Sequence, residues 1–387
     1  MSVDLSFNRV EIDLVALKAN YRLIRELNPN RPLMAVVKGD AYGHGLVECS
    51  RALVAAGARD LGVLDVLEGI SLRKAQLGDV AIYILAGLQT PGQIRAALSH
   101  DLIIVVYSLH QLRLIENLIP SGSQAKVYLK IDTGMGRLGL SWREAPNVLS
   151  ALAPANMTHK PKIKYLGLMT HLATAGDPEA KTQLARFLKI QEVDAAVGLT
   201  QGRHSALASP GLLAYADYPD QLSRAGLAIY GANPLVDLED RLSSKGAKVV
   251  SKLKPVLSFS SQVIQVKTIR AGETISYDRT FVAPADMRVA AAPVGYVHGL
   301  SRSRSSVGHA LINGQRAPLL GRVCMNLSLY DVSQVSDPKP GQKAILLGHD
   351  GRARIEPSLA AKWQGTSAYE ILCLFGRLNP RTYLDKS

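Results

Sequence analysis

The stretch Met34-Ala-Val-Val-Lys-Gly-Asp-Ala-Tyr-Gly-His-Gly45 decides the fold and the chemistry of this chain. The apolar run Leu33–Val37 is typical of a buried strand, and it ends at Lys38, which begins a glycine-rich loop. A lysine at the end of a buried strand loses solvation, which disfavours the ammonium form and leaves an amine able to form a Schiff base. Glycines beside it let the backbone approach a bound group closely. The alternative is a solvated lysine followed by an ordinary turn, and Lys38 alone does not decide between the two.

Outward from this stretch, short apolar runs alternate with segments of helical spacing. The predicted strands are Leu33–Val37, Leu61–Leu64, Val80–Leu85, Leu102–Val106, Lys126–Ile131, Ile163–Met169, His204–Ala208 and Gly226–Tyr230. The predicted helices are Glu11–Glu26, Glu48–Ala56, Val66–Ala75, Pro91–Leu98, Leu109–Leu118 and Pro178–Val197. The pattern predicts an α/β fold with an N-terminal (β/α)8 barrel. Functional side chains are then expected just past the apolar runs, because barrel active sites form at the carboxyl ends of the strands.

After about residue 245 the pattern changes to short apolar runs separated by turn residues. The predicted strands here are Val256–Lys267, Val289–Pro293, Ala310–Ile312, Leu319–Val323, Leu327–Val332 and Lys343–Leu347. They predict a mostly antiparallel β domain, which a short helix at Ser367–Leu374 would close. We therefore expect a barrel domain over residues 1–244 and a β domain over residues 245–387.

The composition limits the class of protein. Hydrophobic residues make up 47% of the 387 residues, and no run approaches the roughly 18 apolar residues of a membrane span. The start lacks a signal-peptide pattern, and three cysteines (Cys49, Cys324, Cys373) without metal-ligand spacing are typical of reduced thiols. We expect a cytoplasmic protein with no metal and no membrane partner. The net charge of +13 would suit nucleic acid, but the basic residues are scattered without a nucleic-acid-binding motif, so none is expected as a partner.

Polar residues follow the later barrel strands. Barrels commonly bind phosphate at the loops after the seventh and eighth strands, where Ser209 and the backbone amides of Gly226 and Leu227 would suit a phosphate. Arg137 follows the fifth strand in a glycine-rich loop, and His171 follows the sixth. Taken singly, each has an alternative: Arg137 as a solvated loop arginine, and His171 as a core histidine.

The longer strings carry a resemblance. AVVKGDAYGHG resembles the lysine motif of the alanine racemase family, which is pyridoxal-phosphate-dependent and has fold type III. KIDTGMGRLG, THLA, SYDRTF, GYVHG and GRVCMN resemble further motifs of that family, so the resemblance covers nearly the whole chain. It implies pyridoxal 5'-phosphate as cofactor, Lys38 as its attachment point and a catalytic base, and Tyr277 as the second catalytic base.

The resemblance also implies the remaining site residues. Arg137 would contact the cofactor's phenolic oxygen and the substrate carboxylate, Arg224 the pyridine nitrogen, and His171 would orient the catalytic tyrosine. Lys130 would be the lysine that is carbamylated in some members and braces the arginine. The full cofactor-binding set is Lys38, Tyr42, Arg137, His171, Ser209, Arg224, Gly226 and Leu227, and the substrate-binding set is Arg137, Tyr296 and Met325.

Several positions depart from the family pattern, namely Gly39, His298, Ser301, Asn326 and Gly376. Gly376 stands where many members are expected to carry a tyrosine that touches the phosphate and narrows the entrance. We therefore expect an altered entrance and a weaker preference for alanine.

The function implied is interconversion of L- and D-alanine by a two-base proton transfer, supplying D-alanine for peptidoglycan. Because a single fixed base would return its proton to the same face, racemisation needs one group on each face. The family architecture implies a homodimer with active sites shared between subunits. A broad-specificity or serine racemase, or a noncatalytic pyridoxal-phosphate-binding protein, stays open as an alternative, whereas the motifs expected of a basic amino-acid decarboxylase are not found.

Overall fold

The computed structural model describes residues 5–153, 162–199 and 202–385. The chain begins with strand β1 (Arg9–Asp13) and then alternates helices with strands up to residue 250. The strands of this part are β2 (Leu33–Val36), β3 (Asp60–Val63), β4 (Ala81–Ile84), β5 (Ile103–Val106), β6 (Ala125–Asp132), β7 (Leu140–Ser141), β8 (Ile163–Met169) and β9 (Ser223–Ala225). The helices are α1 (Leu14–Arg25), α2 (Lys38–Tyr42), α3 (Leu46–Ala55), α4 (Val66–Lys74), α5 (Pro91–Ser99), α6 (Leu109–Leu118), α7 (Ala145–Leu152), α8 (Pro178–Ala196), α9 (Ser209–Ala214) and α10 (Ser244–Val250).

The parallel strands form the predicted barrel. β9 pairs with β2, and β2, β3, β4, β5, β6 and β8 follow in parallel order. Single bridges from Met169 to Ser205 and from Ala208 to Arg224 place residues 205–208 between β8 and β9. These bridges complete the circle, so the (β/α)8 prediction is confirmed.

The eighth barrel strand lies earlier than predicted. The strand is Ser223–Ala225, and the predicted segment Gly226–Tyr230 instead contains a 3-10 turn, Leu227–Tyr230, packed against α1. All four residues of that turn are buried and apolar, so hydropathy alone assigns them to the strand. The true strand is also buried but carries Ser223 and Arg224, which hide it from an apolar pattern.

The second half of the chain is mostly antiparallel, as predicted. Its strands are β10 (Leu257–Gln262), β11 (Gln265–Ile269), β12 (Thr274–Ile275), β13 (Phe281–Val282), β14 (Met287–Ala292), β15 (His309–Ile312), β16 (Gln315–Leu320), β17 (Ser328–Asp331), β18 (Lys343–Asp350), β19 (Ala353–Ile355) and β20 (Arg381–Leu384). Its helices are α11 (Pro357–Gln364) and α12 (Ala368–Leu378). The predicted single strand Val256–Lys267 is two strands, and α11 has no counterpart in the prediction.

The N-terminal strand belongs to this second sheet. β1 pairs antiparallel with β10 and parallel with β20, and its alternate residues Val10 and Ile12 are fully buried. The predicted helix Glu11–Glu26 therefore begins only at Leu14, where the Asp13 carboxylate caps it by accepting from the Ala16 N–H at 2.8 Å. The division between residues 244 and 245 stays a prediction. Across the ranges that the structure describes, no helix is long and apolar enough to span a membrane.

Candidate active site

A cavity of 820 Å³ opens at the carboxyl ends of the barrel strands, where the fold predicts it. Loops after most of the barrel strands line it, from Val36 near the end of β2 to Leu227 after β9. The predicted site residues that it brings together are Lys38, Tyr42, Lys130, Arg137, His171, Ser209, Arg224, Gly226 and Leu227.

The loop after Lys38 has an uncommon backbone. Gly39, Asp40, Ala41 and Tyr42 have φ values of 66°, 58°, 53° and 55°, so α2 is a left-handed turn. L-residues in this conformation cost roughly 1–2 kcal/mol each, and such strain persists only where neighbouring contacts impose it. The sequence predicts a glycine-rich loop at this place, and the structure shows a turn that neighbouring side chains fix.

Side chains from three directions hold this turn. The Asp40 N–H donates to the Glu68 carboxylate at 3.0 Å, and the second Glu68 oxygen accepts from the Leu64 N–H at 2.8 Å. The buried His44 ring donates from Nδ1 to the Ala41 carbonyl at 3.0 Å, which fixes the ring tautomer. Arg381, at the start of β20, donates to the Asp40 carboxylate, so both halves of the chain position the backbone beside Lys38.

The electrostatics of Lys38 favour a neutral amine. Burial lowers the pKa of Lys38, and the neighbouring Arg137 and Arg224 guanidinium groups lower it further. The largest opposing influence is Glu68, which raises the pKa but more weakly. A neutral amine is the nucleophilic form that a Schiff base requires.

Positive charge dominates the cavity wall. Lys38, Lys130, Arg137 and Arg224 line the cavity, while its lining within the described residues includes no aspartate or glutamate. Burial is also the main reason that the pKa of Lys130 is lowered to about 7, followed by Arg224, Arg137 and Lys38. Two arginines and two lysines without a carboxylate suit a ligand that carries several negative charges.

Arg137 is carried by an ordered loop. The Asp132 carboxylate at the end of β6 accepts from the N–H groups of Gly134 and Met135 at 2.9 Å and of Gly136 at 3.2 Å. One carboxylate oxygen thus gathers three consecutive amides and turns the chain toward the cavity. Asp132 is missing from the predicted site residues, although an aspartate directly after a strand and before two glycines is a turn signal.

Arg224 is buried and has its own set of acceptors. It donates to the Thr170 carbonyl at 2.7 Å, to the Ser205 hydroxyl, and to His171 Nδ1 at 3.2 Å. Burial, then Arg224, lowers the pKa of His171 to about 2, so the imidazole is neutral and its Nδ1 accepts. A hydrogen bond thus links the pair, with Arg224 as the donor.

The loops after residues 205–208 and after β9, the last two strands of the barrel, form a tight polar pocket. Ser209 Oγ accepts from the Gly226 N–H at 2.8 Å and from the Ala228 N–H at 3.4 Å. A Cβ on Gly226 would lie 2.4 Å from the Tyr42 hydroxyl, so only glycine fits there. The pocket offers two hydroxyl groups beside a close backbone, which is the kind of cradle that a phosphate occupies.

An aromatic cavity residue that the prediction lacks is Tyr369. Tyr369, on α12, lines the cavity with its ring 6.0 Å from the Tyr42 ring. An aromatic residue in an amphipathic helix gives no local signal for this role, because only the packing of α12 against the lysine turn brings it there.

The expected change of the entrance at Gly376 is wrong. Gly376 does not line the cavity, and a Cβ there would lie 2.2 Å from the Gly43 carbonyl oxygen. Its small size is required by close packing of α12 on the lysine turn. The aromatic side chain at the cavity is Tyr369, seven positions earlier in the chain.

The remaining predicted residues lie on a different surface. Tyr277, Tyr296 and Met325 are outside the cavity lining and are exposed by 66%, 42% and 54%. They come from adjacent turns, since the Tyr296 N–H donates to the Cys324 carbonyl at 3.2 Å. The single chain therefore presents two separate groups of predicted site residues.

Comparisons with known proteins cover the whole chain. The family model for the alanine racemase N-terminal domain matches residues 12–234, and that for the C-terminal domain matches residues 256–383. Alanine racemase of Syntrophobacter fumaroxidans is 36% identical, covering 95% of this chain and 95% of the relative, and that of Nitratidesulfovibrio vulgaris is 36% identical over the full length of both. Among solved structures, alanine racemase from Streptomyces lavendulae matches with a TM-score of 0.90 at 30% identity over 100% and 99% of the two chains. Alanine racemase from Bacillus anthracis with bound L-Ala-P matches with a TM-score of 0.87 at 28% identity over 99% and 96%.

Proposed function

The chain belongs to the alanine racemase family, and from this premise we propose that it interconverts L- and D-alanine with pyridoxal 5'-phosphate attached to Lys38. The observation that carries the proposal is the cavity around Lys38, which four basic side chains line without a carboxylate among the described residues. Such a cavity suits a cofactor bearing a phosphate together with a substrate bearing a carboxylate.

The residues present fit this cofactor. Ser209, Tyr42 and the backbone at Gly226 and Leu227 would hold its phosphate, and Arg224 would face the ring nitrogen. When bound, the cofactor supplies an electron sink that makes the α-hydrogen of the amino acid acidic. Because Arg224 keeps its proton at neutral pH, even with its pKa lowered by burial to about 10, it would leave the ring nitrogen unprotonated and weaken the sink.

Two groups of this chain would move the proton. On one face of the α-carbon the Lys38 side chain takes the proton as the amine and gives it back as the ammonium, and on the other face Tyr277 takes it as the phenolate and gives it as the phenol. Arg137 would hold the substrate carboxylate, with help from Tyr296 and the Met325 backbone. His171, fixed by its bond from Arg224, would orient the tyrosine.

Lys130 is suited to carbamylation. Its lowered pKa of about 7 leaves a neutral amine that adds carbon dioxide and releases a proton. The carbamate would place one negative charge among the cavity cations and brace Arg137. Intact-protein mass spectrometry in bicarbonate buffer tests this, and a Lys130→Met variant should lose the added mass.

We propose that the active enzyme is a homodimer, because Tyr277 lies outside the cavity and is exposed on its own chain. In a two-fold assembly the tyrosine of one subunit would complete the cavity of the other. Lys38→Ala and Tyr277→Phe homodimers should each be nearly inactive. After subunit exchange, about half of the dimers are hybrids with one intact site in two, so activity should recover to about a quarter of wild type. No recovery despite proven exchange would contradict the shared site.

Racemisation of an amino-acid panel tests the function itself. The purified protein with pyridoxal 5'-phosphate should racemise alanine with the highest kcat/KM, and the product formed in D₂O should carry deuterium at the α-carbon. A higher kcat/KM for serine would favour the broad-specificity alternative, and binding of the cofactor without turnover would favour a noncatalytic binder. We place this reaction in the cytoplasm, where it would supply D-alanine for peptidoglycan.

A further inference from the structure

The backbone around Tyr277 is strained. Ser276, Asp278 and Arg279 have φ values of 68°, 60° and 51°, and none is glycine. Ser276 combines its φ with a ψ of −172°, a region that is essentially restricted to glycine. A segment with three such residues would relax unless its surroundings held it, so contacts around Tyr277 must fix the turn.

One of these contacts involves the residue before Tyr277. The Ser276 hydroxyl donates to the Arg322 carbonyl at 2.8 Å. Gly321 lies against the same turn, where a Cβ would be 2.8 Å from the Ile275 carbonyl oxygen. These contacts fix the amino side of the turn, but the direction of the Tyr277 side chain also depends on how the carboxyl side is held.

The residue after Tyr277 supplies a second anchor. The Asp278 carboxylate lies 3.5 Å from Arg302 Nη2 and 3.4 Å from Arg322 Nε, so one acid joins two arginines from separate turns. Both arginines are close in sequence to the other predicted substrate contacts. Arg302 follows Tyr296 by six residues, and Arg322 precedes Met325 by three. Asp278 thus links the three turns that carry the exposed group of site residues.

We propose that Asp278 is a positioning residue for Tyr277. It acts by clamping Arg302 and Arg322, which holds the strained turn and aims the phenol toward the α-carbon in the cavity of the partner subunit. The inference rests on the proposed function, in which Tyr277 is the second base. Asp278 itself neither takes the proton nor binds the substrate.

The test replaces Asp278 by asparagine. Asn tolerates the left-handed backbone, so Asp278→Asn removes the charge and keeps the turn's intrinsic preference. We expect kcat/KM for alanine to fall about three- to tenfold, the range of a small exposed ion-pair network, with unchanged melting temperature. Asp278→Gly removes the conformational cost of the positive φ at this position. It should lower kcat/KM as much as Asp278→Asn does, without lowering the melting temperature.

A matched control is available in the same half of the chain. Asp337 also has a positive φ, 47°, and pairs with Lys339 at 2.6 Å on the surface. Asp337→Asn should leave kcat/KM within experimental error of wild type. Equal losses in Asp278→Asn and Asp337→Asn would overturn the proposal.

A direction-dependent isotope effect separates positioning from a general loss of structure. With α-deuterated alanine, Asp278→Asn should raise the isotope effect on kcat/KM for the enantiomer from which Tyr277 removes the proton. The effect for the other enantiomer should stay the same or fall, because Lys38 removes that proton. Isotope effects that match wild type for both enantiomers would overturn the proposal. Failure of the proposed function is distinct, because wild type itself would then racemise nothing.

Discussion

The two ends of the barrel use the same kinds of side chain in opposite ways. At the amino end, the Asp60 carboxylate accepts from Arg203 at 2.6 and 3.1 Å and from the Tyr83 hydroxyl at 2.6 Å. The Tyr128 hydroxyl donates to the Arg203 carbonyl at 2.8 Å. At the carboxyl end, four basic side chains face a cavity whose described lining has no carboxylate.

This difference separates stability from function. Charges at the amino end are paired and hydrogen-bonded, which is the condition for burying them without a large penalty. At the carboxyl end, burial and then the repulsion from neighbouring basic groups lower the pKa of Lys38 and of Lys130. The amino end thus stabilises the barrel, whereas the carboxyl end keeps an electrostatic cost that an anionic ligand would relieve.

The largest effect should come from removing the amine at the carboxyl end. Lys38→Ala should reduce kcat/KM by at least about a thousandfold, since the cofactor loses its attachment and one face loses its base. The melting temperature of the apo-protein should not fall, because the change removes a basic side chain whose protonation is opposed by burial and by Arg137 and Arg224. Lys126→Ala is the control, as that lysine pairs with Asp101 at 2.8 Å on the outside of the same barrel. A melting temperature of Lys38→Ala below that of wild type would contradict the electrostatic cost that we assign to the carboxyl end.

At the amino end we expect a substitution to reduce stability and to leave activity nearly unchanged. Asp60→Asn should lower the free energy of unfolding by about 2 kcal/mol, because the buried carboxylate is the shared partner of Tyr83 and of Arg203, whose side chain stays 41% exposed and partly solvated. The kcat/KM of the folded enzyme should change by less than about twofold, since the cavity lies at the other end. Urea denaturation measures the stability, and Asp101→Asn on the surface should cost less than about 1 kcal/mol. A similar cost for both variants would contradict the role of the buried cluster.

A smaller effect should appear in the pH dependence of stability. The pKa of Lys130 is about 7 in the folded chain, lowered mainly by burial, whereas an unfolded chain gives lysine its ordinary value near 10.4. Between these values the unfolded state binds more protons, so the free energy of unfolding rises with pH. Relative to Lys130→Met, the wild type should gain on the order of 2 kcal/mol between about pH 7.5 and 9 in carbon-dioxide-free buffer.

The control for that measurement is Lys126→Met, which should retain the wild-type slope. Identical slopes in wild type and Lys130→Met would show that Lys130 is an ordinary lysine. Bicarbonate should raise the stability of the wild type without flattening this slope, because the carbamate forms in the folded chain while the unfolded lysine still takes up its proton.

Sequence reasoning recovers the parts of the fold that hydropathy encodes. The barrel strands β2 to β6 and β8 are predictable because each is an apolar run of ordinary length. Strand β9 escapes this rule because Arg224 is buried by hydrogen bonds rather than by apolar character. β1 is not predicted as a strand, because no local pattern shows its pairing with β10 and β20. Both partners lie more than two hundred residues away along the chain.

The site residues likewise fall into those that the sequence predicts and those that depend on distant packing. Residues directly after a strand, such as Lys38 and His171, follow from the rule for barrel active sites, and the motif resemblance supplies the rest of the predicted set. Tyr369 and the packing of Gly376 depend on how α12 lies against the lysine turn, which no local pattern encodes. The left-handed turn after Lys38 is equally hidden, because it depends on contacts from distant side chains acting together.

The most direct test of the central claim locates the bound cofactor. Protein incubated with pyridoxal 5'-phosphate is reduced with borohydride, digested and mapped by mass spectrometry. We predict covalent label on Lys38, with Lys130 unlabelled although its pKa is also lowered and it lines the same cavity. Label on Lys130 or on a lysine outside the cavity would contradict the claim that the cationic end of the barrel is built around Lys38.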